Sequence, residues 1–112
     1  SAGYYDAYFT KAQQVRRKLQ MLTTTVFSSY DAIISPTVPA PAYRIGELQN
    51  DQLAMFLGDI YTVFANLVGI PAISIPLFQH PNGMPFGLQI MTSQDDEVSL
   101  LRLSKQFLEL SE

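Results

Sequence analysis

The chain contains no cysteine, which excludes a disulfide framework and any thiolate metal site. Its one histidine is His80, so a His-cluster metal site is excluded too. Beside Pro81 in a turn-like stretch, His80 reads as an exposed loop residue. Positive charge is scarce: seven Lys and Arg stand against ten Asp and Glu, a net charge of −3. Modules that grip nucleic acid are usually basic, so no direct nucleic-acid contact is expected. The single basic cluster, Lys11 with Arg16, Arg17 and Lys18, sits among helix formers and reads as a solvated helix face. No apolar run approaches a membrane span, and no signal-peptide pattern opens the chain; a cytoplasmic protein with no membrane contact is the expectation. There is no glycine-rich phosphate loop. Ser35 and Ser74 sit in neither G-x-S-x-G nor S-x-x-K. Paired carboxylates are absent apart from the solvated run Asp95-Asp96-Glu97. No complete active site is legible from the residues alone.

What the chain does have is apolar surface. Of 112 residues, 47% are hydrophobic, which is rich for a small domain, because small domains keep much of their surface in water. Either the core is well filled, or apolar faces are meant to lie against further chain.

The first segment, about Tyr4 to Ser29, has neither glycine nor proline. Tyr5, Tyr8, Ala12, Val15, Leu19, Leu22 and Val26 recur in steps of three and four, which makes one helix stripe. Such a helix is roughly 38 Å long at about 1.5 Å per residue. Tyr and Ala in the stripe favour packing across a larger protein body over a coiled-coil seam. Ala32 to Ser35 reads as a strand end stopped by Pro36. Pro36 to Pro41 then fixes an extended path, and Gly46 to Asp51 is a polar loop. Asp51 is a plausible N-cap for one helix over Gln52 to Leu67, with Gly69 as its stop. That helix is apolar almost all round, as buried helices are. Ala72 to Ile75, ended by Pro76, reads as an interior strand. Pro81-Asn82-Gly83 turns the chain into a second strand, Phe86 to Met91. Asp95, Asp96 and Glu97 open a last helix, complementing its positive end; Val98, Leu101 and Leu108 mark one stripe, with Leu100, Leu103, Phe107 and Leu110 beside it. The order is helix, strand, helix, strand, strand, helix. Three strands, two of them apolar on both faces, point to an α/β protein whose sheet continues elsewhere.

Asp59 stands out as an acid at the margin of an apolar helix face. Buried carboxylates are paired, hydrogen-bonded or neutralised, and no cation lies near it on the helix. Two readings are open: a partly exposed acid or one bonded to nearby backbone donors, and an acid facing a cavity that receives a cationic ligand group.

Several stretches together resemble the amidase-signature family. They are Gly3 to Tyr8, Lys11-Ala12-Gln13, Val15-Arg16, Tyr30-Asp31, Ser35-Pro36-Thr37, Asp59 to Val63, Asn66 to Pro76, Asn82-Gly83 and Pro85 to Ile90. The match covers almost the whole chain, and Asn66 to Gln89 is its strongest part. The Tyr4-Tyr5-Asp6-Ala7-Tyr8 start points within the family to the glutamine-hydrolysing component of the tRNA-dependent amidotransferases. The resemblance implies a large mixed sheet between helices, of which residues 1–112 form a single segment from the C-terminal part. It implies a serine nucleophile, a second serine with a cis peptide, and a lysine, all in a Gly/Ser-rich signature that this chain lacks. No catalytic residue is therefore assigned here, and the intact protein, not this segment alone, is the enzyme. The implied substrate is glutamine, whose ammonia converts misacylated Glu-tRNA(Gln) or Asp-tRNA(Asn) to the amide. The implied partners are the other amidotransferase subunits, one of which uses ATP and Mg; no cofactor falls to this chain. By the same resemblance Asp59 is a substrate-binding residue that meets the α-amino group of glutamine, while the arginine for the α-carboxylate lies just upstream of Tyr4. One departure is Phe64, where the family usually has proline; Phe64 is expected to straighten the helix after Asp59. Other amidase-signature enzymes with a different amide substrate are an alternative, as is a stand-alone interaction module. Apolar faces without cover imply that the isolated chain self-associates.

The absent serine-serine-lysine set gives a direct expectation. The purified 112-residue chain releases no ammonia from glutamine in an ammonia assay. Release that is lost on Ser74→Ala would overturn it.

Overall fold

Good helix formers without an internal proline open the chain. In the computed structural model, which describes residues 2–111, they form helix α1 over Ala2–Phe27. The remaining elements are β1 (Ile33–Pro36), α2 (Gln52–Leu57), α3 (Val63–Val68), β2 (Ala72–Gln79), β3 (Pro85–Met91) and α4 (Glu97–Leu110). The α/β class and the positions of most elements agree with the sequence.

The three strands form one sheet in the order β1-β3-β2, with β3 central and both pairings antiparallel. Side chains alternate between faces along a strand, so the register sorts them into two layers. Ile34, Ile90 and Ile73 share one cross-strand row, and Ser35, Gln89 and Ser74 share the next. The apolar layer carries the core: Ile75 and Ile90 are buried against Leu100 of α4, with Ala32, Ile73, Leu77, Leu88 and Phe107 packed round them. Helix α4 is capped by Asp96, whose side chain accepts from the Ser99 N–H at 3.2 Å. Its Leu100 and Phe107 side meets the sheet; the Val98, Leu101 and Leu108 stripe faces outward. Thr92, fully buried, joins the two: its N–H donates to the Pro71 carbonyl and its hydroxyl to the Asp96 carbonyl.

Three expectations need correction. The single helix over 52–67 is two short helices, broken at 58–62. The Gly58 N–H is shared between the Ala54 and Met55 carbonyls, and the bonds that follow, Ile60 to Leu57 and Thr62 to Asp59, span three residues instead of four. Glycine weakens a helix interior, and three-residue bonds tighten the chain into a turn. Asp59 thus sits on a turn and not on a helix face. Phe64 does not straighten anything, because the break lies before it. Nor is the first half of this region buried: α2 has no buried residue, and Phe56 is 76% exposed, whereas α3 buries Ala65.

The second correction concerns β2. It does not stop at Pro76 but runs to Gln79, with a register irregularity between Ile75 and Phe78. Proline has no N–H to give the ladder, and a bulge accommodates that loss. Beyond it Phe78 and Phe86 stack with ring centres 5.2 Å apart. Among the described residues β2 pairs with β3 alone; the interior place is expected in a sheet that continues beyond these strands. The third correction is His80. It is half-buried, and its Nδ1 accepts from the Asn82 N–H at 3.2 Å, so it helps to build the turn that it was expected only to decorate.

The overall form decides between the two readings of the apolar excess. A compact chain of this length has a radius of gyration near about 13 Å; the observed value is 17.2 Å, with extents of 55 × 42 × 17 Å. Only Ala65, Val68, Ile75, Ile90, Met91 and Leu100 are buried apolar residues among those described. On α1, Tyr5 is 70% exposed and Leu22 55%, and the helix touches the rest through α3, where Gln20 Nε2 reaches the Val68 carbonyl at 3.5 Å. Apolar faces lie open among the described residues.

Gly87 is demanded by space. It lies on β3 between Thr37, whose N–H donates to the Gly87 carbonyl, and Ser74. Across the missing side chain the Thr37 and Ser74 hydroxyls meet at 2.6 Å. A Cβ here would overlap Ser74 Oγ and press on Thr37 Oγ1 at 3.0 Å. Gly87→Ala is expected to destabilise by about 1–3 kcal/mol through overpacking, read as a lowered Tm. An unchanged Tm would show that the two hydroxyls part freely.

Candidate substrate-recognition site

The polar layer of the sheet is organised by Gln89. Because β3 is central, Gln89 has Ser35 on one side and Ser74 on the other, and it is only 4% exposed. Burying an amide without partners is costly, and here its nitrogen makes two bonds. Gln89 Nε2 donates to Ser35 Oγ at 3.0 Å and to the Tyr61 carbonyl at 2.9 Å. A carbonyl only accepts, so the amide nitrogen must face Tyr61. The Ser35 hydroxyl gives its own proton to the Pro36 carbonyl at 3.0 Å, which leaves a lone pair for Gln89.

Tyr61 belongs to the turn between α2 and α3, so this bond ties the turn to the sheet. The turn is also closed on itself. The Asp59 carbonyl accepts from the Val63 N–H at 3.0 Å and the Thr62 N–H at 3.2 Å. Asn66 Nδ2 reaches the Thr62 carbonyl at 3.0 Å.

Asp59 is held in this turn by its backbone. Its side chain is exposed. Among the described residues its carboxylate has no hydrogen-bond or ion-pair partner; the ion pair present is Lys105–Glu109, on α4. Of the two readings left by the sequence, the structure agrees with the first in its exposed form, since the side chain is exposed and bonds no local backbone donor. Its backbone is fixed by the turn, and its carboxylate faces solvent.

Among the described residues neither Ser35 nor Ser74 bonds a basic side chain. A serine needs a neighbouring base. Ser35 is bonded to Gln89 and Pro36, and Ser74 to Thr37. Sequence reasoning missed Gln89. The available signal was a lone amide between Leu88 and Ile90 in an otherwise apolar strand.

Known proteins share this arrangement of elements. The family model described as Amidase matches residues 1–101. The chain belongs to the amidase family. Among curated amidase relatives, a glutamyl-tRNA(Gln) amidotransferase subunit of Koribacter versatilis is 48% identical over 93% of this chain and 22% of its own length. The same subunit from Acidobacterium capsulatum is 50% identical over 94% and 22% respectively. The chain thus spans about a fifth of the length of these relatives. Among solved structures, the corresponding glutamyl-tRNA(Gln) amidotransferase subunit of Thermotoga maritima superposes with a TM-score of 0.84 at 45% identity, over 92% of this chain and 22% of that one. A 6-aminohexanoate cyclic dimer hydrolase gives a TM-score of 0.76 at 26% identity, over 96% and 24%. The elements of this amidase chain are therefore arranged as in proteins of the amidase-signature fold. Among the described residues, no helix is long and apolar enough to cross a membrane.

Proposed function

We propose that this chain belongs to the glutamine-hydrolysing subunit of a tRNA-dependent amidotransferase, and that it forms part of the wall of the glutamine pocket. What supports this most is the 45–50% identity to glutamyl-tRNA(Gln) amidotransferase subunits over nine-tenths of the chain, with Asp59 unpaired on its tethered turn. In this reading the Asp59 carboxylate receives the α-ammonium of glutamine. The contact is a charge-assisted hydrogen bond, stronger than a neutral one. The serine nucleophile, the bridging serine and the lysine come from elsewhere in the polypeptide. Hydrolysis of the side-chain amide gives glutamate and ammonia. The ammonia passes to the other subunits, which use ATP and Mg to amidate Glu-tRNA(Gln) or Asp-tRNA(Asn). A different amide substrate would rest on the likeness to the cyclic dimer hydrolase, which at 26% identity is the weaker of the two.

The open apolar faces enter the same reading. Tyr5, Leu22 and Val26 on α1, and Leu53 and Phe56 on α2, are exposed and have the character of surfaces that pack on further protein. The chain by itself is expected to self-associate at micromolar concentration, seen as dimers or larger species in light scattering. A strict monomer that binds no apolar dye would favour the stand-alone module instead.

Asp59→Asn in the intact amidotransferase keeps the shape and removes the charge. The expected loss is about 1.5–3 kcal/mol, roughly ten- to a hundredfold in kcat/KM for glutamine. Because the carboxylate is exposed and unpaired, thermal stability changes by less than about 0.5 kcal/mol. Unaltered glutamine kinetics would remove Asp59 from the site.

A further inference from the structure

We propose that Gln89 is a positioning residue for substrate recognition: its amide nitrogen, bonded to Ser35 Oγ and the Tyr61 carbonyl, holds the 58–62 turn on the sheet and so sets where the Asp59 carboxylate stands. The inference rests on the reading of Asp59 given above, and deepens it.

Three observations carry it. First, the orientation of the amide is forced. Tyr61 offers only a carbonyl and Ser35 has already given its proton to Pro36, so both bonds, at 2.9 and 3.0 Å, are donated by Gln89. Second, this is the one hydrogen bond between the turn and the sheet among the described residues. The segment before the turn cannot replace it, since α2 has no buried residue. The segment after it is anchored through Ala65 and Val68 of α3, and fixes one end only. Third, the turn is closed on itself. The bonds from the Val63 and Thr62 N–H groups to the Asp59 carbonyl close a ring of backbone that contains Tyr61. The tether at the Tyr61 carbonyl thus acts on the same closed loop of backbone that carries Asp59. A carboxylate that receives a charged group loses much of its effect when misplaced by about 1 Å.

The alternative is that Gln89 merely satisfies a buried polar position. The two differ in selectivity. The test compares hydrolysis of glutamine with that of glutaramate, the same molecule without the α-amino group, by the intact amidotransferase. Gln89→Met has a side chain of similar length and no donor. It is expected to lower kcat/KM for glutamine about tenfold, chiefly through KM, as loss of a hydrogen bond of ordinary strength would, and to leave glutaramate within about twofold. Combined with Asp59→Asn it adds nothing further, because the two act through one contact. If Gln89→Met does not fold, Gln89→Glu carries the test. It keeps the shape and sets an acceptor against the Tyr61 carbonyl, and the same fall in the glutamine-to-glutaramate ratio is expected. Equal losses for both substrates, or none for either, would overturn the role of Gln89 while Asp59→Asn still lowers the ratio. If Asp59→Asn itself leaves the ratio unchanged, the reading of Asp59 falls and the role of Gln89 with it.

Discussion

Both N–H groups of the Gln89 amide are donated within the protein, one along the sheet to Ser35 and one across to the Tyr61 carbonyl. Much of the local architecture depends on that arrangement. It requires β3 to be the central strand, since only a central residue faces Ser35 on one side and Ser74 on the other. It requires the layer of the sheet away from α4 to be polar, while the Ile90 layer takes the core. Two residues along β3, Gly87 leaves the gap through which Thr37 and Ser74 join their hydroxyls. The polar layer is thus bonded on both sides of β3, and the turn bearing Asp59 is carried on it.

The apolar layer explains why the rest of the chain looks incomplete by itself. Among the described residues, six buried apolar side chains are a small core to set against the entropy of ordering a chain of this length. The α1 stripe and the whole of α2 contribute little to that core. Ile34, in the same row as Ile90, remains 55% exposed, and α4 packs mainly on β2 and β3. These open faces accord with a chain that spans about a fifth of its amidase relatives.

Much of this was legible in the sequence, where local signals and tertiary demands coincide. The α1 stripe, the acidic opening of α4 and the Phe86 to Met91 strand follow from periodicity and capping, and the structure keeps them. The break between α2 and α3 was not legible. Leu57, Ile60, Val63, Phe64 and Leu67 continue a helical spacing through Gly58, whereas the chain there is closed by short backbone bonds and its Tyr61 carbonyl is bonded to Gln89, a partner 28 residues away. Pro76 misled for the opposite reason: it is a genuine breaker, but a bulge in β2 absorbs it. Asp59 could be singled out as an acid in apolar company, yet its setting on a tethered turn is a tertiary fact. Gln89 gave the weakest signal, because one polar residue in a strand is ordinary until its partners are seen.

We propose above that Asp59, unpaired on a turn held by its backbone, meets the substrate of an amidase. The most direct measurement is a crystal structure of the intact amidotransferase with glutamine bound. The account predicts an Asp59 carboxylate oxygen about 2.7–2.9 Å from the α-ammonium nitrogen, with the Gln89 to Tyr61 bond intact beneath it. An α-ammonium held by other groups, with Asp59 turned to solvent, would contradict it.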